Sequence, residues 1–143
     1  MGIKLDYEKV GLDTMVFIYQ FEAHPEYGEI VNDIFDKIEK GEIKAVTSTI
    51  TVAEILTKPM KDGNEDAVRD YKYVLQNFPN LEIVPITFEI AEQAASLRAK
   101  YGLRVPDVIQ IAVCLANDAQ AFVTNDARLR KVNEVDIVLL CLF

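Results

Sequence analysis

Residues 10–19 read Val-Gly-Leu-Asp-Thr-Met-Val-Phe-Ile-Tyr. Residues 10–12 have the brevity and apolar character of a buried strand. Asp13 interrupts them, and six residues without a charge follow. The same pattern, a short buried run before a helical stretch, recurs along the chain. Residues 45–47, 81–84, 121–124 and 137–140 are brief and mostly apolar, and several of them are β-branched, which predicts four further strands.

Helical patterns lie between these runs. Over residues 25–40, Ile30, Val31, Ile34, Phe35 and Ile38 share one face, and Gly41 closes the helix. Residues 64–77 repeat the pattern with Val68, Tyr71, Leu75 and Phe78, and Pro79 stops it. Residues 87–101 begin at a capping threonine, Thr87, with Glu89 behind it, and end at Gly102. Residues 106–117 open on Pro106 and are apolar nearly all round, which predicts a helix buried on most sides. Strands alternating with helices predict a parallel sheet covered on both faces, a three-layer α/β/α sandwich. In such sheets ligands gather beyond the carboxyl ends of the strands.

The chain has 143 residues, half of them hydrophobic and 27% charged, which fits a single domain over 1–143 and excludes a disordered chain. The apolar runs 108–117 and 137–143 are too short to span a membrane. Met1 to Val10 carries Lys4, Asp6, Glu8 and Lys9 and does not read as a secretory signal. Cys114 and Cys141 lie in apolar runs without CxxC spacing, which predicts buried thiols in a reduced, cytoplasmic protein. The six glycines are isolated, so there is no phosphate loop and no dinucleotide fingerprint. His24, the sole histidine, precedes Pro25 and reads as a surface loop residue. Tyr71, Tyr73 and Phe78 form an aromatic stripe expected in the core or at an interface, and the terminal apolar run makes a homodimer an expectation.

The formal charge of −8 argues at first against nucleic acid, whose binding rests on phosphate neutralisation. The excess is uneven. Residues 1–42 hold four lysines against ten acids, a net −6, and the remaining residues hold a net −2. The basic residues Lys58, Lys61, Arg104, Arg128, Arg130 and Lys131 flank acids that stand out for another reason, and they are candidates for phosphate contact.

Four acids sit where the chain is otherwise apolar. Asp13 and Asp126 fall at the ends of the first and fourth strands. Glu54 lies in a short helix, 48–56, with apolar neighbours on nearly every side. Asp107 opens the buried helix. Taken singly, Asp13 and Asp126 also read as caps or turns, and Asp107 as a first-turn acid favoured by the helix dipole. A lone buried Glu54 is costly, so it must be paired, metal-bound or open to a cleft. Gathered at one sheet edge, the four would repel one another, and a hard divalent cation would relieve the repulsion. Oxygen donors without His or Cys suit Mg²⁺ or Mn²⁺ and the phosphoryl chemistry those ions support. On this reading Asp107→Asn and Asp126→Asn should fold at least as well as the native chain without metal.

The chain resembles the PIN domain family, and within it the VapC-type toxin ribonucleases. The resemblance rests on Asp13-Thr14, on Glu54 in Thr51-Val52-Ala53-Glu54-Ile55, on Asp107 in Pro106-Asp107-Val108-Ile109-Gln110-Ile111-Ala112, and on Thr124-Asn125-Asp126. It implies a five-stranded parallel sheet, and it makes Asp13, Glu54, Asp107 and Asp126 the metal-binding, catalytic acids with Thr14, Thr124 and Asn125 in support. It also implies Mg²⁺- or Mn²⁺-dependent endonucleolytic cleavage of RNA by a metal-activated water, leaving a 5′-phosphate, and an antitoxin partner. Met15 departs from the family, which usually has Asn there; a thioether cannot replace the amide's hydrogen bonds. A non-catalytic PIN-like interaction domain for RNA or protein is the alternative. A phosphoacceptor signalling module fits less well, because Asp13 is a single acid and no Lys follows the fourth strand directly.

Overall fold

The computed structural model describes residues 4–143; Met1 to Ile3, part of the N-terminal stretch read above, lie outside them. Five strands, β1 (Lys9–Leu12), β2 (Lys44–Ser48), β3 (Leu81–Val84), β4 (Ala121–Thr124) and β5 (Asp136–Leu139), form one sheet in the order β3-β2-β1-β4-β5. Every pairing is parallel. The helices are α1 (Thr14–Phe21), α2 (Gly28–Glu39), α3 (Thr49–Lys61), α4 (Glu65–Asn77), α5 (Phe88–Tyr101) and α6 (Val105–Ala116). This is the three-layer α/β/α sandwich expected.

Strand periodicity divides the core in two. Val10, Leu12, Ala45, Ala121 and Val123 point to one face, where Val16, Phe17, Ile34 and Ile38 of α1 and α2 cover them. Val46 and Phe122 point to the other, against Leu97 of α5 and Ile111 of α6. The helix predicted apolar all round, α6, buries eight consecutive residues from Asp107 to Cys114 and packs on β2, β1 and β4.

Gly11 sets how closely α6 approaches the central strand. A Cβ added there would lie 2.0 Å from Cys114 Sγ and 3.1 Å from Phe122 Cδ1. Gly11→Ala is therefore expected to destabilise the protein by about 1–3 kcal/mol through overpacking. Urea melts should show the loss, and Cys114→Ala in the same chain should recover part of it.

Several boundaries differ from the sequence expectation, for local reasons. The helix expected over 25–40 begins at Gly28, because residues 25–27 form turns in which the backbone N–H groups of Glu26 and Tyr27 donate to His24 Nδ1. His24 is thus not a free surface residue: its ring packs against Tyr19 and Tyr27. The helix expected over 48–56 runs on to Lys61 through Pro59, which sits in its last turn with its ring buried. The last strand ends at Leu139, and residues 140–142 make a 3-10 turn that leaves Leu142 and Phe143 exposed. Cys114 is buried as expected, whereas Cys141 is exposed because it falls in that turn. In the aromatic stripe Tyr71 stacks on Phe21 and Phe78 meets Phe35 edge-on, but Tyr73 is exposed. Among the described residues no helix is long and apolar enough to cross a membrane.

Candidate active site

The strand order reverses between β1 and β4. In a parallel sheet the loops leaving two such strands diverge and open a crevice at their carboxyl ends. Asp13 leaves β1 there and Asp126 follows β4. Glu54 reaches the same crevice from the second turn of α3, and Asp107 from the first turn of α6. All four line one cleft of about 530 Å³, together with Thr14, Met15, Tyr19, Arg104, Gln110, Thr124, Asn125 and Arg128.

Asp13 is the pivot. Its Oδ1 accepts from the backbone N–H of Thr14 at 2.8 Å, capping α1, and its Oδ2 accepts from the Thr124 hydroxyl at 2.7 Å. Burial pushes its carboxyl up to about 6, and the charges of Asp107 and Glu54 push the same way; the hydrogen bonds from Thr124 and Thr14 only partly offset this. Thr124 also accepts from the backbone N–H of Asp126 at 3.1 Å, so one threonine joins the two strand-end acids.

Glu54 is an exposed residue on the cleft side, not a buried one, and its Oε1 accepts from the Thr14 hydroxyl at 2.6 Å. The cleft resolves the tension of a carboxylate in an apolar run. Asp107 is buried and accepts from Arg104 Nε at 3.3 Å. Asp126 accepts from the Arg128 guanidinium in a two-pronged contact (Nη2 at 2.5 Å, Nε at 3.0 Å) and from its backbone N–H. Those hydrogen bonds hold the Asp126 carboxyl below the usual carboxylate range. Arg128 also reaches within 4.0 Å of Asp107.

These pairs revise one expectation. Without metal, Asp126 and Asp107 are not simply repelling charges, because arginines balance them. Asp126→Asn and Asp107→Asn each give up an ion pair, and Asp13 is the acid whose neutralisation relieves strain.

The expected basic residues divide. Arg104 and Arg128 line the cleft, each engaged with an acid. Lys58 faces a neighbouring groove and pairs with Glu22 at 3.5 Å. Arg130 lines a separate depression with Val132 and Asp136, and Lys131 is exposed on the same 3-10 turn, outside the cleft lining. Asn125 reaches no acid: its amide N–H donates to the Tyr19 hydroxyl at 3.2 Å, and its carbonyl accepts from the Cys141 backbone at 3.0 Å. It braces α1 against the 3-10 turn that follows β5.

Sequence reasoning missed Thr47, Thr51 and Gln110. The signal was available: Thr51 stands one turn before Glu54, and Gln110 is the one polar residue among 108–116, one turn after Asp107.

The donor chemistry fits a hard divalent ion: oxygen ligands only, with a half-buried acid whose proton is held by burial and by neighbouring acids. Among the described residues no three acidic, histidine or cysteine side chains stand close enough to chelate an ion as placed. As placed, Asp107 and Asp126 are engaged by Arg104 and Arg128.

A five-stranded parallel sheet with acids collected at its switch point defines an α/β protein whose ligand edge is built from carboxylates. The chain belongs to the PIN domain family, which it matches over residues 10–135. It is similar in structure to VapBC2 from Rickettsia felis, solved bound to a DNA fragment from its promoter (18% identity over 90% of this chain and 96% of that one, TM-score 0.71). A toxin–antitoxin complex from Klebsiella pneumoniae gives 20% identity over 92% and 97%, with a TM-score of 0.70. VapC20 of Mycobacterium tuberculosis, a sarcin-ricin loop cleaving toxin, gives 14% over 89% and 98%, with a TM-score of 0.68. At these identities the likeness is one of fold. No curated protein sequence gives a match.

Proposed function

We propose that this chain is a metal-dependent endoribonuclease and the toxin of a VapBC-type toxin–antitoxin pair. The observation that carries the reading is the convergence of Asp13, Glu54, Asp107 and Asp126 on one cleft at the switch point of the sheet. The named activities of its structural relatives support it.

On this reading the four acids hold Mg²⁺ or Mn²⁺. When bound, such an ion supplies Lewis-acid polarisation of a phosphodiester and acidifies a water. The chain's own residues prepare the place. Thr124 and the Thr14 backbone fix Asp13, and the Thr14 hydroxyl fixes Glu54. Arg104 and Arg128 stand at the rim, and guanidinium groups freed from Asp107 and Asp126 are suited to phosphate oxygens. RNA binding then depends on metal, since the metal frees the cations that meet the backbone.

A second groove between α1, α3 and α4 shares Ile18 and Glu54 with the cleft and is lined by Phe21, Pro59 and Tyr71. It supports an antitoxin segment laid beside the acids. Exposed Ile86, Phe88 and Val105 support a homodimer. The setting is cytoplasmic, as it must be for RNA and an antitoxin to be met.

Asp13 and Asp126 also cap the elements that follow them, which favours the non-catalytic alternative. Cleavage of a labelled RNA in Mn²⁺ separates the two. Asp107→Asn and Asp126→Asn should each cut at least about a hundredfold more slowly, the loss of several kcal/mol of charge stabilisation. Native rates in both variants would leave Asp126 as a cap and Asp107 as an ion-pair partner of Arg104.

A further inference from the structure

We propose that Gln110 is a positioning residue of the carboxylate site: from the buried face of α6 it fixes Thr51, and through Thr51 and Thr14 it fixes the Glu54 carboxylate. The inference rests on the nuclease reading above.

Behind the cleft lies a hydrogen-bonded network contributed by five elements, β1, α1, β2, α3 and α6. Gln110 Nε2 donates to Thr51 Oγ1 at 2.6 Å. Thr51 Oγ1 lies 3.1 Å from Thr14 Oγ1, and Thr14 donates to Glu54 Oε1 at 2.6 Å. Thr47 Oγ1 stands 2.8 Å from Thr51 Oγ1, 2.9 Å from the Leu12 carbonyl and 3.4 Å from Gln110 Oε1. Thr14, Thr47, Thr51 and Gln110 are all buried, Thr51 completely.

Counting protons gives the network a direction. An ionised carboxylate only accepts, so the single hydroxyl proton of Thr14 belongs to Glu54. The donor between Thr51 and Thr14 is then Thr51. Having given its proton away, Thr51 must be held by groups that donate to it. Thr47 has one proton for three acceptors, namely the Leu12 carbonyl, Thr51 and Gln110. Gln110 has an amide N–H committed to Thr51. Every assignment runs from Gln110 through Thr51 and Thr14 to Glu54, and donors in series polarise one another in a buried setting.

Glu54 needs such an anchor. It is exposed on a helix with several rotatable bonds, and Thr14 is its hydrogen-bond partner among the described residues. Asp13 is held by two donors, Asp107 and Asp126 by arginines. Glu54 alone relies on a chain that runs from α6 through α3 to α1.

The test is Mn²⁺ affinity, read by titration calorimetry, alongside RNA cleavage. Gln110→Met keeps the volume and loses the amide, and Thr51→Val keeps the shape and loses the hydroxyl. Each is expected to weaken Mn²⁺ binding about 10-fold or more, the usual cost of removing a group that orients a metal ligand. Thr51→Ser, which keeps the hydroxyl, should recover most of the affinity lost in Thr51→Val. Cleavage lost at low Mn²⁺ should return at high Mn²⁺. In a Glu54→Gln background Thr51→Val should cost no further affinity, an outcome that a purely structural role would not give. Apo melting temperatures show which variants fold, and if Gln110→Met does not, the Thr51 pair decides.

Native affinity in Gln110→Met and Thr51→Val, or an undiminished further loss in the Glu54→Gln background, would overturn the inference while leaving the nuclease reading intact. A native protein that neither binds Mn²⁺ nor cleaves RNA would overturn both.

Discussion

Asp13→Asn is expected to make the metal-free protein more stable above pH 6 and to lower metal-dependent RNA cleavage by at least about a hundredfold, the loss of one charged ligand worth several kcal/mol. The sign follows from the raised carboxyl, about 6 in the folded chain against an ordinary 3.8. Below the ordinary value the acid is protonated in both folded and unfolded chains and stability is unaffected. Between the two values the folded chain alone keeps the proton. Above about 6 both forms are ionised, and the folded chain bears the full cost of a buried charge, about 3 kcal/mol for a shift of this size. Asn carries no charge but has one carbonyl oxygen for two donors, the Thr14 amide and the Thr124 hydroxyl, and the lost bond takes back about 1 kcal/mol. Urea melts should therefore show Asp13→Asn more stable than the native chain at pH 8 by about 1–2 kcal/mol and no more stable at pH 4. A loss at pH 8 would mean that the carboxylate serves chiefly as a cap.

Metal should offset the cost of the ionised Asp13 and stabilise the folded native chain. An ion that binds the folded chain alone, at a hundred times its Kd, adds about 2.7 kcal/mol, which for a chain of this length raises Tm by roughly 5–10 °C. The shift is expected with Mn²⁺ at pH 7.5, smaller below pH 6 where protons hold Asp13, and absent in Asp13→Asn. Acids that only cap helices would give no comparable shift at any pH.

The fold was legible because each element carries its own signal. Residues 81–84 and 121–124 are short, apolar and bounded by turn residues, and both are strands with those bounds. The parallel arrangement follows from the helices between them. The ends were less legible where a side chain from elsewhere decides them. His24 caps the turn before α2, and Pro59 is accommodated in the last turn of α3; neither could be weighed without the packing.

The four acids were legible because a carboxylate in an apolar run needs a reason. Their partners were less so. That Arg128 closes on Asp126, while Arg130 two residues on faces elsewhere, is a property of the 3-10 turn over Ala127–Lys131, and Arg104 meets Asp107 from the position that opens α6. Gln110 was hidden by the apolar residues around it, although a buried amide calls for a partner as surely as a buried acid does.

If the four carboxylates act together with a divalent ion to cut RNA, cleavage must follow the ion. The most direct measurement is the rate at which the purified native chain cleaves a labelled RNA in Mn²⁺, in EDTA, and after Mn²⁺ is restored. Cleavage in Mn²⁺ that stops in EDTA, returns with the ion and leaves 5′-phosphate ends is the expected result. Cleavage that continues unchanged in EDTA would contradict it, and so would none in Mn²⁺.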